Sequence, residues 1–506
     1  MQSLIEDPRY FAQVDLSKTF RPEIDWSTGV TRVNIEEVVL ATLGSNHPLR
    51  PACEPSNFKK ANLRVYDMLS NVLPDRSPQT DFFWTRFCRP FASMLQSSGH
   101  SLQVQARFLI FLWARIIGFM GPLGGPEQHT MLTQDGSPIE ASWVIPPNAK
   151  AVEGEATRSL RFALEPTDPR DGKFLRGARV MDYITSTVGG LGVVFCPPGA
   201  LDWRSIVDKW LYGHVNAEDD DVAVESSGFF LGFGLSSSGH IALKSYFQPP
   251  FPSPNAPTSV LRCPIHVGDP DFSPLRAVVS QLDASMAPAF DYFLEYLSEV
   301  EPAKRPIFHM LAMDVVRSSK NRLKIYVQTR NGFAWPDVKR NMTMGGRIES
   351  PEMDNTINAL ENLWNNLFPT TDSSSGLELI AQTQLAQGEF HESEEHPPGV
   401  VGYYFELAPG NPTVMPKVYF PVRHWCSSDK FVTDAVEDFY RTQGLGGPST
   451  QGEQALTKGW CHNEIARAFN HRPLDQKPGM ATWVTFGHKK KGWELTSYYS
   501  PELFAQ

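Results

Sequence analysis

The chain has 506 residues, 41% of them hydrophobic, with 46 Lys and Arg against 56 Asp and Glu for a formal charge of −10. That length suits two ordinary domains or one large core built from helices and strands. The acidic balance excludes a broad basic surface for nucleic acid, so any phosphate site must be a local basic cluster.

At the N-terminus, Met1 to Gln13 carries Glu6, Asp7 and Arg9 and has no apolar segment, so it does not read as a secretory signal. The most apolar stretch, Phe108 to Met120, is shorter than the roughly 20 residues of a membrane span and is interrupted by Arg115. It is expected to be a buried helix, with no membrane partner. Cys53, Cys88, Cys196, Cys263, Cys426 and Cys461 lie far apart with no C-x-x-C pair. Neither a zinc site nor a disulfide framework is indicated, and reduced thiols and a cytoplasmic location are expected.

Further along, β-rich runs occur in pairs separated by turn residues. These are Pro138 to Ile145 with Ser159 to Glu165, Phe229 to Gly234 with Ile241 to Phe247, Ile307 to Val316 with Arg322 to Gln328, Val401 to Leu407 with Lys417 to Val422, and Ala481 to Gly487 with Trp493 to Tyr499. Their spacing of roughly 80–90 residues marks a repeat-built architecture. Between them lie segments of helical period: Pro274 to Val300, Pro351 to Phe368, Asp429 to Thr442 and Ala455 to Phe469. The expected fold is an α/β repeat barrel, in which ten antiparallel strands close on themselves to remove exposed edges and helices cover the outside. Thr370 to Gly376 and Gly444 to Glu453 read as surface insertions.

The second strands read SLRFALEP, ALKSYFQP, RLKIYVQT, PKVYFPV and LTSYYSP. Because strand side chains alternate, one face carries Arg161, Lys244, Tyr246, Arg322, Lys324, Tyr326, Lys417, Tyr419 and Tyr498. The other carries Leu160, Phe162, Leu243, Phe247, Leu323, Ile325, Val418, Phe420 and Leu495. The apolar face needs the helices as a cover, so the polar face must line a lumen. Cations converging there would repel one another unless a polyanion such as a diphosphate were bound. The interleaved tyrosines could stabilise a carbocation through their ring quadrupoles and keep water from quenching it.

The run DGSPIEASW (Asp135 to Trp143), the K-x-Y strands and KVYFPVRHW (Lys417 to Trp425) together resemble the fungal aromatic prenyltransferases of the dimethylallyltryptophan synthase type, from roughly Thr80 to Ser500. The resemblance implies a barrel of five ααββ repeats spanning residues 56–506, with residues 1–55 as an extension that caps the barrel or forms a subunit contact. It also implies that no cofactor is required. A prenyl diphosphate is then the co-substrate, an aromatic small molecule the acceptor, and the state a monomer or homodimer.

By the same resemblance, Arg161, Lys244, Arg322, Lys324, Lys417 and Lys489 bind diphosphate, and Tyr246, Tyr326, Tyr419, Trp483 and Tyr498 shield the carbocation. Glu140 matches the carboxylate that orients the acceptor and can take its proton. Trp483 stands where tyrosine is common and Lys489 where arginine is. In the strand GFFLGFGL (Gly228 to Leu235) no ionisable residue occurs where tryptophan-using relatives carry a lysine, which argues against free tryptophan as acceptor. Gly402 aligns with a position that is often methionine in dimethylallyl-specific relatives. Its small size favours a geranyl donor, and together with the missing lysine it favours an aromatic polyketide over an indole alkaloid or cyclic dipeptide.

The acidic run Glu218 to Asp221 lacks the spaced third carboxylate of a magnesium-binding isoprenoid synthase and reads as a solvated loop. Two readings from other classes are weaker. A Cys–His hydrolase built on Cys461 with His462, or Cys426 with His424, would need near neighbours in sequence to face each other. A non-catalytic barrel binding a lipid or aromatic anion would share the lumen but make no product.

Overall fold

The computed structural model describes residues 63–73, 77–125, 130–145, 158–175, 177–186, 193–213, 228–249, 263–329, 334–369, 401–444, 459–489 and 492–505. The extension at 1–55, the acidic run Glu218 to Asp221, the insertion Thr370 to Gly376 and all but the first residue of Gly444 to Glu453 lie outside them.

Eleven strands form one sheet: β1 (Ile139–Ile145), β2 (Ser159–Leu164), β3 (Val194–Phe195), β4 (Phe229–Leu235), β5 (Ile241–Phe247), β6 (Ile307–Asp314), β7 (Leu323–Gln328), β8 (Gly402–Leu407), β9 (Met415–Phe420), β10 (Ala481–Lys489) and β11 (Gly492–Tyr499). Ten of them close an antiparallel ring in the order β1-β2-β4-β5-β6-β7-β8-β9-β10-β11, with β11 returning to β1 through Ala141 opposite Tyr499. The closed barrel and the five expected hairpins are therefore present. β3 is an addition that the sequence reading missed: it pairs in parallel with the first residues of β5, while β6 takes over from Lys244 onward.

The outer face of the ring meets helices, as the alternating pattern requires. All nine residues assigned to the apolar face belong to the main hydrophobic core. Phe162 packs 5.7 Å from Phe91 of α3 (Arg89–Ser97), Phe405 4.8 Å from Phe293 of α8 (Ala287–Glu299), and Phe420 5.9 Å from Trp364 of α10 (Pro351–Leu367). Burying a ring of this kind stabilises the fold by roughly 1.5–3 kcal/mol.

Local chemistry sets the helix ends. The Ser350 hydroxyl accepts from Met353 N at 3.1 Å and Pro351 opens α10, while Ser428 caps α12 (Asp429–Thr442) by accepting from Phe431 N. The expected single helix from Pro274 to Val300 is two. α7 (Leu275–Leu282) stops because extended Asp283 turns its carboxylate to the Ser285 N–H, and Pro288 opens α8 beyond it. The apolar run at Phe108 is α4 (Leu102–Phe111) followed by a π turn (Leu112–Ile116) and a 3-10 turn (Ile117–Phe119). Among the described residues no helix is long and apolar enough to cross a membrane.

Candidate active site

Strands β2, β5, β7 and β9 run the same way around the ring, so equivalent residues fall at equal depth. Each directs a cation inward and, two residues or roughly 7 Å further on, a second lumen residue: Arg161 then Ala163, Lys244 then Tyr246, Lys324 then Tyr326, Lys417 then Tyr419. The antiparallel strands between them fix this register, with Asp314 opposite Lys244, Glu406 opposite Lys324 and Gly487 opposite Lys417. A Cβ on Gly487 would stand 3.2 Å from the Lys417 stem, so this glycine makes room for the lysine.

The cations do gather around one interior, but they are not an unrelieved positive cluster. Asp314, Glu406 and Glu494 stand among them. Asp314 accepts from Arg322 at 2.9 Å and from Lys324 at 2.9 Å, and Glu406 accepts two bonds from Arg322 at 3.0 and 3.2 Å. Glu494 lies 3.8 Å from Arg161 and 3.9 Å from Lys417. Six cations therefore face three carboxylates, an excess of positive charge that suits an anion. Burial alone would raise the Glu494 carboxyl, but Arg161, Lys417, Lys489 and Lys244 hold it down at about 2. Burial pushes Lys417 down to about 7 despite Glu494, and Lys244 falls well below the ordinary lysine value through burial and the charges of Arg161 and Lys324. Lys489, at the end of β10, adds to the field on Lys417 and Glu494.

Above the cations lies a belt of rings. Tyr246 stacks on Phe230 at 4.1 Å and approaches Tyr326 at 6.0 Å. Tyr326 meets Tyr419 at 5.7 Å with their hydroxyls 3.2 Å apart, and Tyr419 reaches Trp483 at 6.3 Å and Tyr498 at 6.2 Å. The five expected aromatic residues are thus continuous, and Tyr404 joins them 5.4 Å from Tyr326. Burial raises the Tyr326, Tyr404 and Tyr419 phenols well above their usual range, so they stay neutral and present π faces to a cation.

The belt opens on a cavity of about 130 Å³ whose lining includes Glu140, Gly402, His309, Arg423 and Trp483. Glu140 is buried on β1 and accepts from the Thr482 hydroxyl. A register shift between Ala481 and Val484 lets Thr482 reach Glu140 while Trp483 borders the cavity. Burial pushes the Glu140 carboxyl up to about 7, opposed by the Thr482 bond and the Arg423 charge. Arg423 lies on α11 (Val422–Trp425), stacked 5.3 Å over Trp483, with Nε donating to His424 Nε2 at 3.1 Å. A carboxylate near its titration point, beside a ring-lined cavity and above a cationic floor, can bind an N–H or O–H and exchange a proton.

Sequence reasoning missed Asp314, Glu406, Glu494, Tyr404, Phe230, His309, Thr482 and Arg423. Tyr404 and Glu406 follow Gly402 at alternate positions in GYYFEL, and Glu494 precedes Tyr498 by two alternations, so the period that found the cations could have found these too. The hydrolase reading finds no support: burial pushes the Cys426 and Cys461 thiols far up, against formation of a thiolate.

The family model for tryptophan dimethylallyltransferase matches residues 79–453. Prenyltransferase anuH of Penicillium roqueforti is 27% identical over 452 residues, covering 87% of this chain and 93% of that protein. A 7-dimethylallyltryptophan synthase of Aspergillus fumigatus is 24% identical over 468 residues, covering 88% and 90%. Among solved structures, NotF in complex with brevianamide F and DMSPP superposes with a TM-score of 0.62 at 18% identity over 86% of this chain and 98% of that one, which shows the shared barrel fold. The match across three quarters of its length makes this chain a member of the tryptophan dimethylallyltransferase family, the fungal-type aromatic prenyltransferases.

Proposed function

We propose that the chain transfers an isoprenyl group, geranyl ahead of dimethylallyl, from its diphosphate to a ring carbon of an aromatic polyketide-type acceptor, with no obligatory metal. The observation that carries this reading is the stacking, in one lumen, of a cation layer, an aromatic belt and the near-neutral carboxyl of Glu140.

Arg161, Lys244, Arg322, Lys324, Lys417 and Lys489 hold the diphosphate and stabilise its charge as the allylic C–O bond breaks and the electron pair leaves with oxygen. Tyr246, Tyr326, Tyr419, Trp483 and Tyr498 face the resulting cation and exclude water. An acceptor ring carbon held at contact distance then forms the new C–C bond. Glu140 hydrogen-bonds an acceptor O–H or N–H and so enriches the ring; the arenium proton leaves to Glu140, to water or to the released diphosphate.

Two features support the finer assignment. Gly402 leaves the cavity wall open beside Tyr419. The inner face of β4 offers Phe230 and Gly232 and no base for an indole ring proton. The runner-up reading is dimethylallyl transfer to an indole alkaloid or cyclic dipeptide, supported by the name of one relative above, a 7-dimethylallyltryptophan synthase. Mass spectrometry of products from phenolic and indolic acceptors crossed with C5, C10 and C15 diphosphates decides between them: prenylated indoles with only the C5 donor would overturn the proposal. Turnover should persist in excess chelator. Complete loss with EDTA that magnesium restores would refute metal independence.

A further inference from the structure

Strict alternation along β6 would send His309 outward, between outward-facing Phe308 and Leu311. It does not go there. The pairing with β7 shifts register between Phe308 and Met310, so His309 is an unpaired extra residue and both it and Met310 border the cavity. Bulges of this kind re-aim a side chain, often beside an active site. Around the ring, β6 lies four strands from β1 in one direction and six in the other, which puts His309 on the wall nearly opposite Glu140.

The imidazole has no structural employment there. Its Nδ1 is sealed from water and has no hydrogen-bond partner among the described residues. Burial lowers its pKa to about 4, so the ring is neutral at physiological pH and can donate from one nitrogen and accept at the other. Nε2 is not sealed in this way, and the half-buried ring borders the cavity, so a ligand there can supply a hydrogen bond to it. Met310, Tyr326 and Gln328 flank it on the cavity wall, and none of them is bonded to it.

We propose that His309 is a specificity-determining contact for the acceptor: its imidazole hydrogen-bonds a hydroxyl at the end of the molecule remote from Glu140. The pocket then selects flat aromatic compounds with polar groups at two opposite ends, as hydroxylated polyketides have and a simple indole lacks. This inference rests on the acceptor class proposed above and narrows it.

The test uses two probes, a naphthalenediol with one hydroxyl on each ring and the matching mono-naphthol, titrated by calorimetry into the full-length wild type, His309→Asn and His309→Leu. Wild type should bind the diol about 10-fold tighter than the mono-naphthol. His309→Leu should bring the ratio to about one without weakening the mono-naphthol, and His309→Asn, smaller but able to hydrogen-bond, should recover part of it. A wild type that does not discriminate, or a ratio equal in Asn and Leu variants, would overturn the contact. Preferential turnover of indoles with the ratio intact would overturn the polyketide acceptor and leave the His309 contact standing.

Discussion

Lys244 faces Asp314 in register across β5 and β6, yet the Asp314 oxygens are taken by Lys324 and Arg322. Lys244 is left without an ion pair among the described residues, and burial with the neighbouring charges of Arg161 and Lys324 disfavours its protonated form. A diphosphate would reverse that balance. Replacing the lysine by methionine removes a half-buried ammonium that makes no ion pair, so Lys244→Met should raise the KM for prenyl diphosphate about 10-fold or more while the melting temperature holds or rises. Steady-state kinetics and thermal denaturation on the same preparation check both; unchanged KM with a lower Tm would contradict the assignment.

Asp314 should behave in the opposite way. Burial pushes its carboxyl up, but Lys324, Lys244 and Arg322 overwhelm burial and hold it below the usual carboxylate range. Stability from this depressed group is present above the ordinary aspartate value and is lost as pH falls through its folded value. Asp314→Asn leaves the buried Lys324 ammonium beside a neutral amide and should cost roughly 3–5 kcal/mol. Denaturant titration of wild type and variant at neutral pH measures the difference.

The pH profile should be narrow. Glu140, at about 7, must lose its proton to act as acceptor anchor and base, so kcat/KM for the acceptor falls as pH drops below about 7. Lys417, also at about 7, must hold its proton to bind diphosphate, so the donor KM rises as pH climbs above that value in the free enzyme. Donor binding should therefore take up protons near neutrality, visible in calorimetry as a heat that varies with the ionisation enthalpy of the buffer. Glu140→Gln should abolish the acidic limb and leave the donor limb in place.

Gly402 is open to enlargement. A Cβ there would sit 3.4 Å from Tyr419 Cβ and 3.9 Å from the Val327 carbonyl, ordinary contact distances, so the strand tolerates a side chain. Gly402→Met should cut kcat/KM for geranyl diphosphate about 10-fold or more relative to dimethylallyl diphosphate. Competition between the two donors in one reaction reads the ratio directly, and an unchanged ratio would remove Gly402 from the chain-length argument.

Much of this architecture is legible in the residues because period two persists in the second strands of the hairpins: Arg161, Lys244, Lys324 and Lys417 alternate with Phe162, Leu243, Ile325 and Val418, and the structure separates them as lumen and core. What escaped is what breaks the period or is too short to have one. His309 and Thr482 lie at register shifts, where counting by two assigns the wrong face. β3 has only two residues and shows no pattern at all. Asp314 escaped for a different reason: it sits on a first strand, and only its cross-strand register with Lys244 places it among the cations.

The closing seam carries a temporal consequence. Glu140 is bonded to Thr482, 342 positions away, and Leu503 N donates to Ser137 across a separation of 366. Contacts that distant in sequence form late, because loop closure must precede them. A ribosome-bound chain still lacking β10 and β11 would therefore hold eight of the ten ring strands in an unclosed sheet, without Trp483, Lys489, Glu494 and Tyr498 and without an enclosed lumen. The enclosure that the proposed chemistry needs is thus completed only once β10 and β11 are made.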